Sequence, residues 1–129
     1  MRVYNKWHLM IKQELKKMNL THPQFVVLAS LAYLSQNGNE VTQVMISKLS
    51  GIDVMTLSQI LSLLEKHNFV KRKEHSRDTR AKAVTLNKKG EEILQKAVPL
   101  IEQIDEFFFG KLDNDEEQFK HFLISLNEE

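Results

Sequence analysis

The fold is decided by residues 42–86, which run TQVMISKLSGIDVMTLSQILSLLEKHNFVKRKEHSRDTRAKAVTL. Thr42 precedes a short apolar repeat of helical period that stops at Gly51, and Asp53 precedes a second one that extends to about His67. Threonine and aspartate at such positions are typical helix N-caps, and glycine is typical of a helix end. The stretch therefore predicts two helices joined by a tight turn.

The second half of this stretch changes from helical to strand periodicity. Phe69 and Val70 lead into three consecutive cations, and residues 81–86 alternate between small or apolar and polar side chains. Residues 69–86 therefore predict a two-stranded hairpin with a long basic tip from His75 to Arg80. A helix, a turn, a second helix and a basic hairpin make up a winged helix-turn-helix. We predict a mainly α fold with a small β-hairpin wing.

Such an arrangement can bind double-stranded DNA. The second helix fits the major groove and presents its first turns to base edges, while the wing tip reaches the adjacent minor groove. The candidate base-reading residues are Met55, Thr56, Ser58, Gln59 and Ser62. The candidate wing residues are Lys73, Arg77, Asp78, Arg80 and Lys82. Two alternatives stay open for these polar groups, since the basic run can be a solvated edge strand and Asp78 can cap a turn.

The charge is distributed unevenly, although the net charge is only +1. Residues 42–89 carry ten Lys and Arg against four Asp and Glu, whereas residues 90–129 carry three against eleven. A basic segment of this kind is typical of a surface that binds a polyanion. It weighs against the alternative of a winged helix that binds only other proteins. RNA binding is disfavoured because the basic segment lacks aromatic side chains for base stacking.

Residues 42–90 resemble the MarR family of bacterial transcription regulators, and the order of the helices extends the resemblance over the whole chain. Two pieces carry it. One is the wing sequence 77–82, RDTRAK, followed by an apolar strand and a Lys-Gly helix start. The other is the helix exit 63–70, LLEKHNFV, in which Asn68 replaces the glycine usual in the family. The resemblance implies a DNA-binding regulator, and in particular a repressor of a palindromic operator.

The resemblance also implies roles for individual positions. Arg80 would enter the minor groove, Asp78 would hold an arginine of the wing, and the start of the second helix, from Met55 to Gln59, would face the bases. Two departures from the family pattern concern DNA contact. Val54 and Met55 are apolar where relatives are often polar, which favours contact with thymine methyl groups. Leu63 stands where relatives often have a basic residue, which removes a phosphate contact.

The segments on either side of the helix-turn-helix carry much apolar surface. The resemblance implies that they form a homodimer. We predict a single domain over residues 1–129, with residues 1–20 and 90–129 as dimerisation helices and residues 21–89 as the DNA-binding part. The residues expected at the interface are Trp7, Ile104, Phe108, Phe119, Phe122 and Leu126. The alternative is that this aromatic area packs on the chain's own core.

Polar residues and prolines mark the ends of the remaining helices. Thr21 and Gln24 have the spacing of a reciprocal capping box. Asn87 and Asp113 are predicted to cap the last two helices. Pro99 lies within the helical pattern that follows Asn87, and we expect it to kink that helix because proline lacks an N–H group.

Other classes of function have less support in the sequence. The absence of cysteine excludes disulfides and thiolate zinc sites, and the five histidines lack metal-ligand spacing. We expect no cofactor, no metal and no enzymatic activity. Relatives bind small aromatic or phenolic acids, and Tyr4, Trp7, His8 and His22 are candidates to line such a pocket unless they serve only in packing. The longest apolar run is about half the length of a membrane span, and no signal peptide is evident. We expect a cytoplasmic protein without a membrane partner.

Overall fold

The computed structural model describes residues 1–128. Within that range the chain forms six α-helices and three short strands. They are α1 (Arg2–Lys16), α2 (His22–Leu34), β1 (Val41–Thr42), α3 (Gln43–Ser50), α4 (Val54–Lys66), β2 (Val70–Glu74), β3 (Lys82–Leu86), α5 (Lys88–Phe109) and α6 (Glu116–Asn127). Short 3-10 turns, Ser35–Asn37 and Gly110–Asp115, follow α2 and α5. The predicted mainly helical fold with a β wing is confirmed.

The core is built around α2, which is apolar on nearly every side. Val27, Leu28 and Leu31 are fully buried there, and the helix packs against α1, α3, α4 and α5. The helix α4 adds an inward stripe of leucines, Leu57, Leu61 and Leu64, at helical spacing. Each buried side chain of this size contributes about 1.5–3 kcal/mol. The opposite face of α4 is thereby directed to solvent.

The sheet has three strands in the order β1-β3-β2, all antiparallel to their neighbours. The predicted hairpin is present, with Val70 opposite Leu86 at one end and Glu74 opposite Lys82 at the other. The third strand, β1, was not predicted. It has only two residues, too few for strand periodicity to appear in the sequence. Because it leads directly into α3, it ties the start of the helix-turn-helix to the base of the wing.

Most helix ends follow the predicted chemistry. Thr21 and Gln24 form the reciprocal box, with N···O distances of 3.0 and 3.2 Å. Thr42 accepts the N–H of Met45 at 3.2 Å. Gly51 has φ +77°, the left-handed conformation that lets α3 stop abruptly and α4 begin.

Two predicted caps differ from the structure, while the kink expected at Pro99 stays a prediction. Asn87 stands at the N-cap position of α5, but its amide donates to Asn68 Oδ1 at 2.9 Å instead of capping the helix. Asp113 lies inside the preceding 3-10 turn with φ +48°, and α6 begins after Asp115. The helix α5 continues through Pro99 as one unit of 22 residues. Within residues 1–128, no single helix is long and apolar enough to span a membrane, and α3 with α4, which qualify only as a pair, meet at 111°.

Candidate nucleic-acid interface

The outward face of α4 begins with exposed side chains. Met55 is 79% exposed, and Thr56 and Gln59 are also on the surface. Asp53 fixes the first turn, since its Oδ1 accepts the backbone N–H of Thr56 at 2.9 Å and its Oδ2 accepts the Thr56 hydroxyl at 2.7 Å. These hydrogen bonds from Thr56 lower the pKa of the Asp53 carboxyl. Thr56 has therefore used its single hydroxyl proton, and towards a base it can act only as an acceptor.

Two of the candidate base-reading residues already have partners within the chain. Ser62 Oγ donates to Ser58 O at 3.0 Å and accepts from Arg72 at 2.9 Å. Ser58 Oγ accepts from Arg72 at 3.2 Å. Both serines lie on the flank of α4 that faces β2. Gln59 and Met55 are left as the more available of the predicted readers.

Arg72 was not among the predicted site residues, yet it is the most connected side chain near this surface. Its Nε lies 2.8 Å and its Nη2 2.7 Å from Glu65 Oε1. Nη1 donates to Gln43 Oε1 at 3.2 Å, and to Ser58 Oγ and Ser58 O at 3.2 and 3.4 Å. The side chain is only 18% exposed. A strand residue of the wing is thus bonded to both α3 and α4.

The wing tip presents Arg80. Its side chain is 92% exposed, and its Nε–H contacts Asp78 Oδ1 at 3.3 Å. The same oxygen accepts the backbone N–H of Arg80 at 3.1 Å. Asp78 therefore both caps the turn and holds the arginine, the two possibilities that the sequence left open. Lys73, Arg77 and Lys82 are also exposed around this tip.

A second set of contacts orders the wing tip, and one residue, Glu40, connects the tip to the rest of the domain. His75 Nδ1 accepts the backbone N–H groups of Arg77 and Asp78 at 3.1 and 3.2 Å. Glu40 accepts the Ser76 hydroxyl, and its Oε2 accepts the Ser76 backbone N–H at 3.2 Å. These two bonds lower the pKa of Glu40. Glu40 lies 36 residues before Ser76, and no local pattern in the sequence signals the pairing.

The tip and the start of α4 border one groove. It has a volume of about 180 Å³ and is lined by Thr42, Gln43, Val44, Val54, Arg80, Ala81 and Lys82. Arg80 and Lys82 bring positive charge to one wall, while Val54 marks the first turn of α4. The structure thus brings the predicted wing and the predicted reading helix together at one surface.

The predicted dimer residues fall into two groups. Trp7, Ile104, Phe108 and Phe119 are half-buried within this chain. Trp7 Nε1 donates to Asp105 Oδ1 at 2.8 Å, and the rings of Phe109 and Phe119 stack with centroids 5.9 Å apart. Phe122 and Leu126, by contrast, are 59% and 83% exposed on α6. Part of the aromatic area packs on its own chain, and part remains uncovered.

The predicted ligand residues cluster where α1 meets α2. His8 and His22 face each other with their Nδ1 atoms 3.1 Å apart, and Tyr4 stacks on His8. Both histidines line a cleft of about 330 Å³ together with Lys12, Lys16, Leu20, Thr21 and Pro23. Tyr4 and Trp7 lie beside this cleft and do not line it. Burial, followed by the nearby His8, lowers the pKa of His22, while Asp105 opposes the shift. Among the described residues, no three His, Asp or Glu side chains are placed to hold a metal ion.

This chain matches a family model, a protein of similar sequence and several solved structures. The ArnR1-like winged-helix domain matches residues 16–104. The uncharacterized HTH-type transcriptional regulator YdcH of Bacillus subtilis is 33% identical over 122 residues, which are 95% of this chain and 80% of that protein. A mutant of MarR from E. coli complexed with operator DNA superposes with a TM-score of 0.82 at 23% identity, over 96% of this chain and 86% of that one.

A further solved structure comes from a study of how 6-hydroxynicotinic acid regulates DNA binding by BpsR of Bordetella bronchiseptica. It superposes with a TM-score of 0.82 at 27% identity, over 96% of this chain and 86% of that one. The similarity to these structures extends over α1, the helix-turn-helix, the wing and the C-terminal helices, because nearly the whole chain is covered.

Proposed function

Because this chain belongs to the MarR family of transcription regulators, with a DNA-binding winged helix, we propose that it represses transcription by binding a palindromic operator as a homodimer. One observation carries the mode of binding. Val54, at the start of α4, and the wing arginine Arg80 border a common groove at the surface. A reading helix with a basic wing beside it can contact a major groove and the minor groove next to it.

The side chains on this surface are proposed to make three different kinds of DNA contact. Gln59 can form paired hydrogen bonds with adenine, and Met55 can contact a thymine methyl group. Arg80 enters the minor groove, where the electrostatic potential is most negative over narrow A·T-rich segments. Lys73, Arg77 and Lys82 neutralise phosphates on either side, which positions the protein without reading sequence.

The homodimer is supported by the uncovered face of α6. Phe122, Leu123, Ile124 and Leu126 are all exposed on that single helix. Large apolar side chains exposed together on one helix usually mark an interaction surface. We assign residues 1–20 and 90–129 to the dimer and residues 21–89 to DNA. A two-fold dimer presents two copies of α4, which matches a palindromic site.

A small organic acid fits the cleft between α1 and α2 and is proposed to relieve repression. The cleft walls are largely apolar, and its rim carries Lys12, Lys16, His8 and His22. An aromatic carboxylate would place its ring against Leu20 and its charge against this rim. The regulation of BpsR by 6-hydroxynicotinic acid, a ring of that kind, supports this choice of ligand class. Because α1 belongs to the proposed dimer part and α2 to the DNA-binding part, a ligand there can change their relative position.

The test is selection of duplexes from a random library by the full-length chain, followed by titration at several salt concentrations. We expect a palindrome to be enriched. The logarithm of the binding constant should fall with that of salt by about 0.9 per phosphate contact. No enrichment, or a flat response to salt, would contradict DNA binding of this kind. A reporter gene whose promoter overlaps the selected site then tests repression. A repressor lowers reporter expression, whereas an activator raises it.

The same duplexes separate the two modes of recognition. Gln59→Ala should lose about 1–3 kcal/mol on the selected site and relax discrimination at one base pair in each half-site. Arg80→Ala should weaken binding to every variant, most strongly where the flanks are rich in A·T pairs. If Arg80→Ala bound like the wild type, the wing would have no role in DNA contact.

A further inference from the structure

The guanidinium of Arg72 connects the wing to α4, and we propose that it is a positioning residue that sets the angle between them. In this role Arg72 contacts no base and no phosphate. It makes Arg80 and the exposed face of α4 reach the same DNA site together. The inference rests on the proposed DNA-binding function and adds to it a residue that determines how the two contacts cooperate.

The position of Arg72 explains why it can act on the wing. It lies in the middle of β2, opposite Val84 of β3, and β2 continues directly into the tip that carries Arg80. A shift of β2 relative to α4 therefore moves the tip. The contacts of Arg72 oppose that shift, because they reach α3 through Gln43 and α4 through Ser58, Ser62 and Glu65.

The helix α4 presents a stripe that receives this guanidinium. Ser58, Ser62 and Glu65 are spaced four and three residues apart, so they share one face of the helix. Arginine has five N–H donors in a planar fork. Nε donates to Glu65, and Nη2 lies 2.7 Å from the same carboxylate oxygen. Nη2 donates to Ser62, and Nη1 donates to Gln43 and Ser58. A lysine carries three donors on one nitrogen and cannot reproduce this arrangement.

The same contacts remove Arg72 from the group of phosphate ligands. Its charge is paired with Glu65 at 2.7 Å, and only 18% of its side chain is exposed. Arg80 is also close to a carboxylate, but 92% of its side chain is exposed and available to DNA. Rigid connection matters because two linked contacts bind as one unit only when their geometry permits both at once. Without Arg72, the wing contact should contribute far less to binding.

A double-mutant cycle tests this role on the duplex selected by the wild-type chain. Dissociation constants are measured for the wild type, Arg72→Gln, Arg80→Ala and the double variant. We expect Arg80→Ala to weaken wild-type binding about tenfold but to weaken binding by Arg72→Gln only about twofold, a coupling of ordinary size for residues that act together. Arg72→Lys should behave like Arg72→Gln, because it keeps the charge and loses the fork.

Two further variants make the test specific. Lys71→Gln removes one positive charge from the neighbouring exposed position of β2, and there Arg80→Ala should still cost about tenfold. Ser62→Ala removes one acceptor at an exposed site of α4, and it should give a smaller coupling of the same sign. Thermal unfolding shows whether each variant folds. If Arg72→Gln does not fold, the cycle can be measured with Ser62→Ala in its place.

The outcomes separate the proposals. An equal loss from Arg80→Ala in the wild-type and Arg72→Gln backgrounds would overturn the positioning role, as would full binding by Arg72→Lys. A salt slope lowered by about one contact when Arg72→Gln is added to Arg80→Ala would identify a phosphate ligand instead. If the wild-type chain selected no duplex, the proposed function itself would fail before the cycle began.

Discussion

At the scale of single residues, hydrogen-bond partners decide which polar side chains are available to DNA. Thr56, Ser58 and Ser62 are of residue types that can read bases, but the hydroxyl of each is hydrogen-bonded within the chain. Gln59 is exposed at the same surface. A polar residue on the outer face of a reading helix is therefore not by itself evidence of base contact. Its remaining donors and acceptors must be counted first.

The pair of histidines between α1 and α2 is a second case in which partners decide behaviour. With Nδ1 atoms 3.1 Å apart, one ring must donate and the other accept, so two imidazolium rings would oppose each other. Burial of His22 acts in the same direction and lowers its pKa below the ordinary value of 6.5. The folded chain therefore resists protonation at a pH where the unfolded chain accepts a proton.

This linkage predicts a loss of stability on acidification. As the pH falls below 6.5 towards the lowered pKa of folded His22, the unfolded state binds more protons and the free energy of unfolding decreases. His22→Gln should flatten this dependence, and urea unfolding across the pH range measures it. A hydroxybenzoate, used as the anionic probe, should stabilise the wild type increasingly as the pH falls through the lowered pKa of His22, because the imidazolium attracts its carboxylate. An unchanged pH profile in His22→Gln would contradict the assignment.

At the scale of elements, the close approach of α5 to the end of α4 depends on one glycine. A Cβ atom at Gly90 would lie 2.2 Å from the carbonyl oxygen of Phe69. That carbonyl accepts the backbone N–H of Asn87 at 2.9 Å, so it cannot move away without breaking the junction. The glycine of the Lys-Gly helix start is therefore explained by packing of backbone against backbone.

A matched pair of substitutions tests this junction. Gly90→Ala should destabilise the domain by about 1–3 kcal/mol, as expected when extra volume is forced into a packed site. Gly110→Ala is the control, because Gly110 has right-handed helical dihedrals and open space around its Cβ position. It should be neutral or add about 0.4–1 kcal/mol by restricting the unfolded chain. Equal free energies of unfolding for the two variants, measured in urea, would rule out the close contact as the reason for glycine.

At the scale of the whole molecule, charge and apolar surface are separated along the chain. The basic residues concentrate on the wing and the segments around it, whereas residues 90–129 are strongly acidic and carry the uncovered apolar face of α6. The two regions suit different partners, a polyanion in one case and a second copy of the chain in the other.

The oligomeric state follows from the uncovered face. We expect sedimentation of a homodimer of about 30 kDa, twice the 15.1 kDa of the chain, at micromolar concentration. Phe122→Asp should weaken it, because a carboxylate without a partner would be buried at the interface. Gln118→Asp adds the same charge at an exposed polar position of α6 and should leave the dimer intact. A folded wild-type monomer under these conditions would refute the assignment.

Local signals in the sequence suffice to predict the helices and the wing hairpin of this protein. Helical period, Thr42 and Asp53 as caps, Gly51 as a stop and the alternation in 81–86 each involve residues within about one turn of one another. The family motif in the wing is equally local. These signals sufficed for the mainly helical fold and the placement of the wing.

The contacts between those elements became visible only in the folded chain. Arg72 meets Gln43 across 29 positions, Glu40 meets Ser76 across 36, and Trp7 meets Asp105 across 98. Such pairings depend on chain reversals that no local pattern records, so Arg72 and Glu40 were not predicted. The strand β1 was missed for the same reason, since its two residues are a strand only because β3 lies beside them. Local propensity specifies the conformation of a segment, whereas packing specifies its partners.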